Sequence, residues 1–293
     1  AIEKIAERFG VASLPPRTLP VSPDVDLPKL KTPEVDVNSY LSILGSCLHI
    51  AQVSRPGISF AVGMLSRHSA TPGEMHLQAA LDLVRYLNGS KRLYIQYTRK
   101  DTGDENDPKI FGKGFRPEDM AIEQRLVALL PDVSKASPTA FIDADLGGDK
   151  HTRKSTSGLV IMMNSGPVTW FSRLQKLCAL STAESEIIAV VDAAKEALHI
   201  RLLAEELGVR PPGKPMRIYE DNTACIQMGH SLKGSNAAKH FQLRLRFLHD
   251  RIVNQEIEFA KIDTKEQLAD GFTKALPGPA FSIFRDCMLK GSV

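Results

Sequence analysis

The stretch from Phe141 to Gly158, FIDADLGGDKHTRKSTSG, sets Asp143 directly after the bulky apolar pair Phe141 and Ile142, with Asp145 and Asp149 close behind. Apolar residues entering a core read as a strand. A carboxylate at the buried end of such a strand is costly to desolvate unless a cation or hydrogen bonds compensate it. A plainer reading fits the same residues: DAD closes the strand and GGD makes a turn. Three more acids fall at the ends or rims of later elements. Glu186 lies in the first turns of a long helix, Asp221 follows a strand in IYEDN, and Asp270 sits in EQLADGFTK. Glu184 is a competing acid that points elsewhere on the same helix. Four carboxylates drawn together would repel one another and would not all ionise without divalent cations between them. Oxygen-only ligands select magnesium or manganese, and two such ions about 4 Å apart can activate a water and stabilise the leaving oxygen in phosphodiester hydrolysis. Spacing alone does not bring the four together.

The elements that would have to position these acids are readable from periodicity. Apolar spacing makes Ile2 to Gly10 the tail of a helix, and six prolines between Ala12 and Val37 make that stretch an extended connector. Ser39 reads as the cap of a helix running to about Val53, followed by helices from Ile58 to about His68 and from Glu74 to Leu87, the last opened by Pro72, and by a short strand from Leu93 to Tyr97. Residues 101–138 mix acids, glycine and proline around one helical patch, Met120 to Leu130, and read as an exposed insertion or linker. Beyond it, Ala140 to Ala144, Gly158 to Met163 and Val168 to Phe171 read as consecutive strands. A long helix, Thr182 to Leu207, ends at Gly208. Then come a strand at Met216 to Tyr219, helices at Asp221 to Met228 and Ala238 to Asn254, a strand at Glu256 to Ile262, and a final helix, Lys265 to Leu276, stopped by Pro277. Hairpins and crossovers in this order give an α/β fold, a mixed sheet flanked by helices, preceded by a mainly helical subdomain.

Composition excludes several classes. Of 293 residues, 43% are hydrophobic and 24% charged, a globular balance that can bury a sizeable core. No apolar run approaches a bilayer span, and AIEKIAERFG carries charges where a signal peptide needs an apolar core, so no membrane partner is expected. Cys47, Cys178, Cys225 and Cys287 stand singly, which suggests reduced thiols in an intracellular setting rather than zinc or disulfides. The net charge is +3 but uneven, with 12 Lys/Arg against 8 Asp/Glu over residues 1–100 and 5 against 8 over 101–138. That asymmetry is compatible with a nucleic-acid partner.

Five segments in order, FIDADLGGDKHTRKSTSG, VTWFSRLQKLCALSTAESEIIA, IYEDNTACI, KHFQLRLRFLHD and DTKEQLADGFTKALP, resemble the ribonuclease H domain of copia-type retrotransposon polyproteins. Upstream, AIEKIAERFG, SYLSILGSCLHIAQVSRPGISFAVGMLSRHSATPGEMH and RYLNGSKRLYIQY resemble the end of that family's reverse transcriptase and its connection region. The resemblance implies a reverse-transcriptase tail and connector over 1–36, a helical connection subdomain over 37–100, the insertion over 101–138 and a ribonuclease H-like domain, a mixed five-stranded sheet flanked by helices, over 139–293. Carried over motif by motif, the metal-binding carboxylates are Asp143 from DAD, Glu186 from the AEAE-like helix, Asp221 from YCDN and Asp270 from QLAD. The implied cofactor is Mg2+ or Mn2+, two ions, and the implied reaction is hydrolysis of the RNA strand of an RNA/DNA hybrid during reverse transcription. The partners would be that hybrid and the remainder of the polyprotein, in a cytoplasmic virus-like particle or the nucleus. Arg153, Lys154 and Ser155 in the turn after DAD are candidates for phosphate contacts, and Asn222 for a 2′-hydroxyl. Leu146, Leu159, Gln242 and Arg246 depart from the family pattern, and no histidine directly precedes Asp270. An alternative of another class is a catalytically decayed nucleic-acid-binding or polyprotein-assembly module whose acids are structural leftovers.

Overall fold

A computed structural model describes residues 1–97, 138–207, 210, 212–231 and 239–292, with the backbone alone at 239 and 240. The helical patch expected at Met120 to Leu130, the insertion around it except Pro138, and Gly208 lie outside the described residues. By their contacts the described residues form two units.

In the first unit α1 (Ile2–Arg8) is followed by Gly10 at φ 70, the left-handed region that suits glycine. The proline-rich stretch contains neither helix nor strand and runs along α4 (Glu74–Gly89). Asn88 donates to the Ala12 carbonyl, Arg85 to that of Pro15, and Arg17 pairs with Asp82 at 2.7 Å. Between them, α2 spans Val37–Val53 and α3 spans Ser59–Ser66. The cap of α2 is Asp36, which accepts from the Ser39 N–H at 2.7 Å, so Ser39 lies inside the helix that it was expected to cap. The strand expected at Leu93 to Tyr97 reduces to a single antiparallel bridge, Tyr94 with Lys290.

The second unit is the sheet. β1 (Thr139–Asp145), β2 (Thr156–Met163) and β3 (Gly166–Leu174) form an antiparallel meander, and α5 (Thr182–Glu206) crosses over to β4 (Met216–Glu220), which lies parallel to β1. After α6 (Thr223–His230) and α7 (Lys239–Val253), β5 (Ile257–Lys261) adds in parallel to β4, giving the order β3-β2-β1-β4-β5. The mixed five-stranded sheet flanked by helices is therefore present. Six of the seven β1 residues are buried, as befits a central strand. Against Ala140 and Ile142 of β1, α5 contributes Ile187, Val190, Ala193, Ala194 and Ala197 to the core, the alanines permitting a close approach.

The helix expected from Lys265 to Leu276 is instead a 3-10 turn, Thr264–Glu266, and a four-residue helix, α8 (Asp270–Thr273), with Gln267 extended between them. Gln267 is buried and donates its side-chain amide to the Ile142 carbonyl at 2.9 Å, while its amide oxygen accepts from the Ala269 N–H. Bonds to β1 thus outweigh the local helical pattern. A last helix, α9 (Gly278–Met288), had no counterpart among the expected elements and groups with the first unit. There Phe281 packs edge-on to Tyr86, and Phe284 lies 3.5 Å from where a Cβ on Gly57 would stand.

Candidate functional site

Strand register brings two of the acids together. Phe141 of β1 pairs with Tyr219 of the parallel β4, and their rings stack at 5.1 Å. Asp143 and Asp221, each two residues further on, thus leave the carboxyl ends of adjacent parallel strands side by side, the place where open α/β sheets form sites. The third acid comes from α5. Ser181 caps that helix by accepting from the Glu184 N–H, and Glu184 returns the favour by accepting from the Leu180 N–H at 2.8 Å. Glu184, the competing acid, is therefore occupied at the helix start. Glu186 is turned into the protein and is only 3% exposed.

One ligand oxygen from each of Asp143, Glu186 and Asp221 lies within 4.8 Å of the others, and among the described residues this is the group able to hold a metal ion. Asp143 is buried, 7% exposed, and accepts from the Thr273 hydroxyl. Asp270, the fourth expected ligand, is outside the close group. It is half-buried at the start of α8, and its backbone carbonyl oxygen lies 3.1 Å from the same Thr273 hydroxyl oxygen.

A further acid in this region is absent from the expected set. Glu220, the last residue of β4, is completely buried. Its Oε1 accepts from the Asn222 N–H at 2.8 Å. The Cys225 thiol lies against it and is itself pushed well up by burial and the surrounding acids. Alternation along β4 was the available signal: Met216, Ile218 and Glu220 share one face, and the first two are core. Where YCDN would put a cysteine, this chain has a carboxylate.

The electrostatics are those of an acid cluster out of water. Burial pushes the Glu186 carboxyl far above the usual range, and Glu220, Asp143 and Asp221 push it further, opposed by the Ala144 N–H that donates to it. Burial likewise raises Glu220, with the Asn222 N–H opposing and Asp221 and Asp143 adding to the rise. Glu186 Oε2 and Glu220 Oε2 are buried and meet no hydrogen-bond donor among the described residues. An all-oxygen donor set with converging negative charge and two such oxygens fits a hard divalent cation.

The turn between β1 and β2 holds the remaining candidates. Asp149 is buried and organises it, accepting from the Thr152 N–H and hydroxyl at 2.7 Å each, so GGD is a turn as the plainer reading had it. Arg153 is exposed and adopts φ 55, and Lys154 is half-buried. Ser155 is fully buried and its hydroxyl accepts from the Gly147 N–H, which turns it into the loop rather than toward a phosphate. Asn222 is the cap of α6, accepting from the Cys225 N–H at 3.1 Å.

No protein-family model matches the chain. It is 27% identical to the retrovirus-related Pol polyprotein from transposon TNT 1-94 of Nicotiana tabacum over 97% of its own length, and 29% identical to that from transposon RE1 of Arabidopsis thaliana over 94%. It spans 19% and 17% of these relatives. The solved structure of LC11-RNase H1, isolated from compost by a metagenomic approach, matches 47% of this chain and 93% of its own with 13% identity and a TM-score of 0.36. No helix among the described residues is long and apolar enough to cross a membrane. The likeness to retrovirus-related Pol polyproteins of transposons thus runs through both units of the chain.

Proposed function

We propose that this chain is the ribonuclease H portion of such a polyprotein, with the end of the reverse transcriptase before it, and that it hydrolyses the RNA strand of RNA/DNA hybrids. The observation that carries this reading is the convergence of Asp143, Glu186 and Asp221 within 4.8 Å at the carboxyl ends of two parallel strands. These three carboxylates hold magnesium or manganese, with Asp270 as the fourth ligand from α8. The family resemblance implies two ions. Bound there, the metal supplies charge neutralisation and a water made nucleophilic near neutral pH.

The chain's own residues do the rest. Asp143 and Asp221 are fixed by strand register, and Glu186 is fixed by a capped helix packed on the sheet, so the acids are held on rigid elements before substrate arrives. Arg153 and Lys154 bring positive charge to the turn beside β1, suited to the phosphates of a duplex. Asn222 has its carbonyl oxygen committed to the α6 cap, which leaves contact with a 2′-hydroxyl to its amide nitrogen. The rest of the polyprotein and the hybrid are the expected partners.

Cleavage of an end-labelled RNA/DNA hybrid in magnesium or manganese, compared between the chain and Asp143→Asn, tests the proposal. Metal-dependent cutting of the RNA strand alone, lost in the variant by about 100-fold or more, is expected. Hybrid binding by folded protein without cutting in either metal would replace it with the alternative of a decayed binding or assembly module.

A further inference from the structure

The segment 267–273 is fastened to β1 on both sides of one peptide. Gln267 bonds to the Ile142 carbonyl, and Thr273, completely buried, donates its hydroxyl to Asp143 Oδ2 at 2.5 Å. That length belongs to a hydroxyl bonded to a carboxylate, and such bonds are roughly twice as strong as neutral ones. The same hydroxyl oxygen lies 3.1 Å from the Asp270 carbonyl. A hydroxyl has one proton to give, and the shorter contact to the charged acceptor takes it. The close approach depends on Gly158, which pairs with Asp143 across the β1–β2 ladder. A Cβ at 158 would stand 2.7 Å from Phe272 Cβ and 2.8 Å from both the Ala269 carbonyl oxygen and Thr273 Cγ2.

We infer that Thr273 is a positioning residue for Asp143: its hydroxyl engages one carboxylate oxygen and thereby fixes the side-chain angle at which Asp143 faces Glu186 and Asp221. The inference rests on the reading of those acids as metal ligands. It follows the general pattern in which a ligating carboxylate is itself hydrogen-bonded, and in which losing that outer partner weakens metal binding about 10- to 100-fold. Thr273 touches neither metal nor substrate and acts through Asp143.

The test is the affinity of the full chain for Mn2+ or Mg2+, measured by calorimetry without substrate. Thr273→Val keeps the shape and loses the donor, and is expected to weaken binding about 10-fold or more, while Thr273→Ser keeps the donor and the affinity. RNA cleavage by the valine variant should fall at limiting metal and recover toward the parent rate as metal is raised. A folded Thr273→Val with parental affinity overturns the inference. Should that variant not fold, Thr273→Cys, of similar size and a weak donor, must show the same loss, and parental affinity there overturns it equally. If the parent chain binds neither metal, the ligand reading fails and this inference falls with it, an outcome separable from the others because it needs no variant.

Discussion

Glu186 is an acid held out of water among other acids. It is buried among Glu220, Asp143 and Asp221, and each of these raises its proton affinity. Replacing it by Gln removes a group that must be neutralised on folding, so Glu186→Gln should raise the melting temperature of the metal-free chain at neutral pH while abolishing hybrid cleavage. A gain on the order of 1 kcal/mol corresponds to about 2–4 °C. Glu220→Gln should also raise the melting temperature and leave metal affinity nearly unchanged, because Glu220 lies outside the group of three oxygens placed to hold an ion. Trp170 is the chain's one tryptophan and lies in β3, so its fluorescence follows the unfolding of the sheet unit. A fall in melting temperature for Glu186→Gln would mean that its carboxylate is compensated in the metal-free state. Asp143, Glu186 and Asp221 were legible as candidates because acids beside apolar core residues are unusual. Glu220 is less legible because the motif acid is its neighbour Asp221, although strand alternation points Glu220 inward.

At the scale of elements, the sheet and the long helix follow from local pattern, whereas the segment carrying Asp270 does not. Residues 265–276 have helical composition, yet Gln267 leaves the helix to bond with β1. A tertiary hydrogen bond between residues 125 apart is invisible to periodicity. The fit of α8 on β2 depends on one residue without a side chain. Gly158→Ala should cost about 1–3 kcal/mol through overpacking against Phe272 and Ala269, lowering the melting temperature of the sheet unit. It should also weaken metal binding by displacing Thr273 from Asp143. Unchanged stability and affinity in this variant would mean that α8 has room to move.

At the scale of the whole molecule, the raised carboxyls set a pH dependence. Glu186 and Glu220 bind more protons folded than unfolded once the pH exceeds the ordinary glutamate value of 4.5, so the metal-free chain loses stability as pH rises from there toward and past neutrality. The metal-free melting temperature should therefore be lower at about pH 8 than at about pH 5.5 as far as this cluster governs it. Divalent cation should reverse the order, since it binds the ionised cluster and adds about 2.7 kcal/mol at 100 times its dissociation constant. A metal-free melting temperature that rises across that interval, and that Glu186→Gln leaves equally pH-dependent, would remove the cluster as the cause. The sequence by itself determined the α/β class, the sheet strands, the long helix and the three acids that converge, because alternation, helical period and misplaced charge are local signals. Only the tertiary structure decided that Asp143 and Asp221 stand side by side, that Glu220 joins them, that Ser155 turns inward, that Thr273 holds Asp143, and that α9 groups with the first unit. Each of these depends on strand register or on contacts between residues far apart in the chain, and a local pattern carries neither.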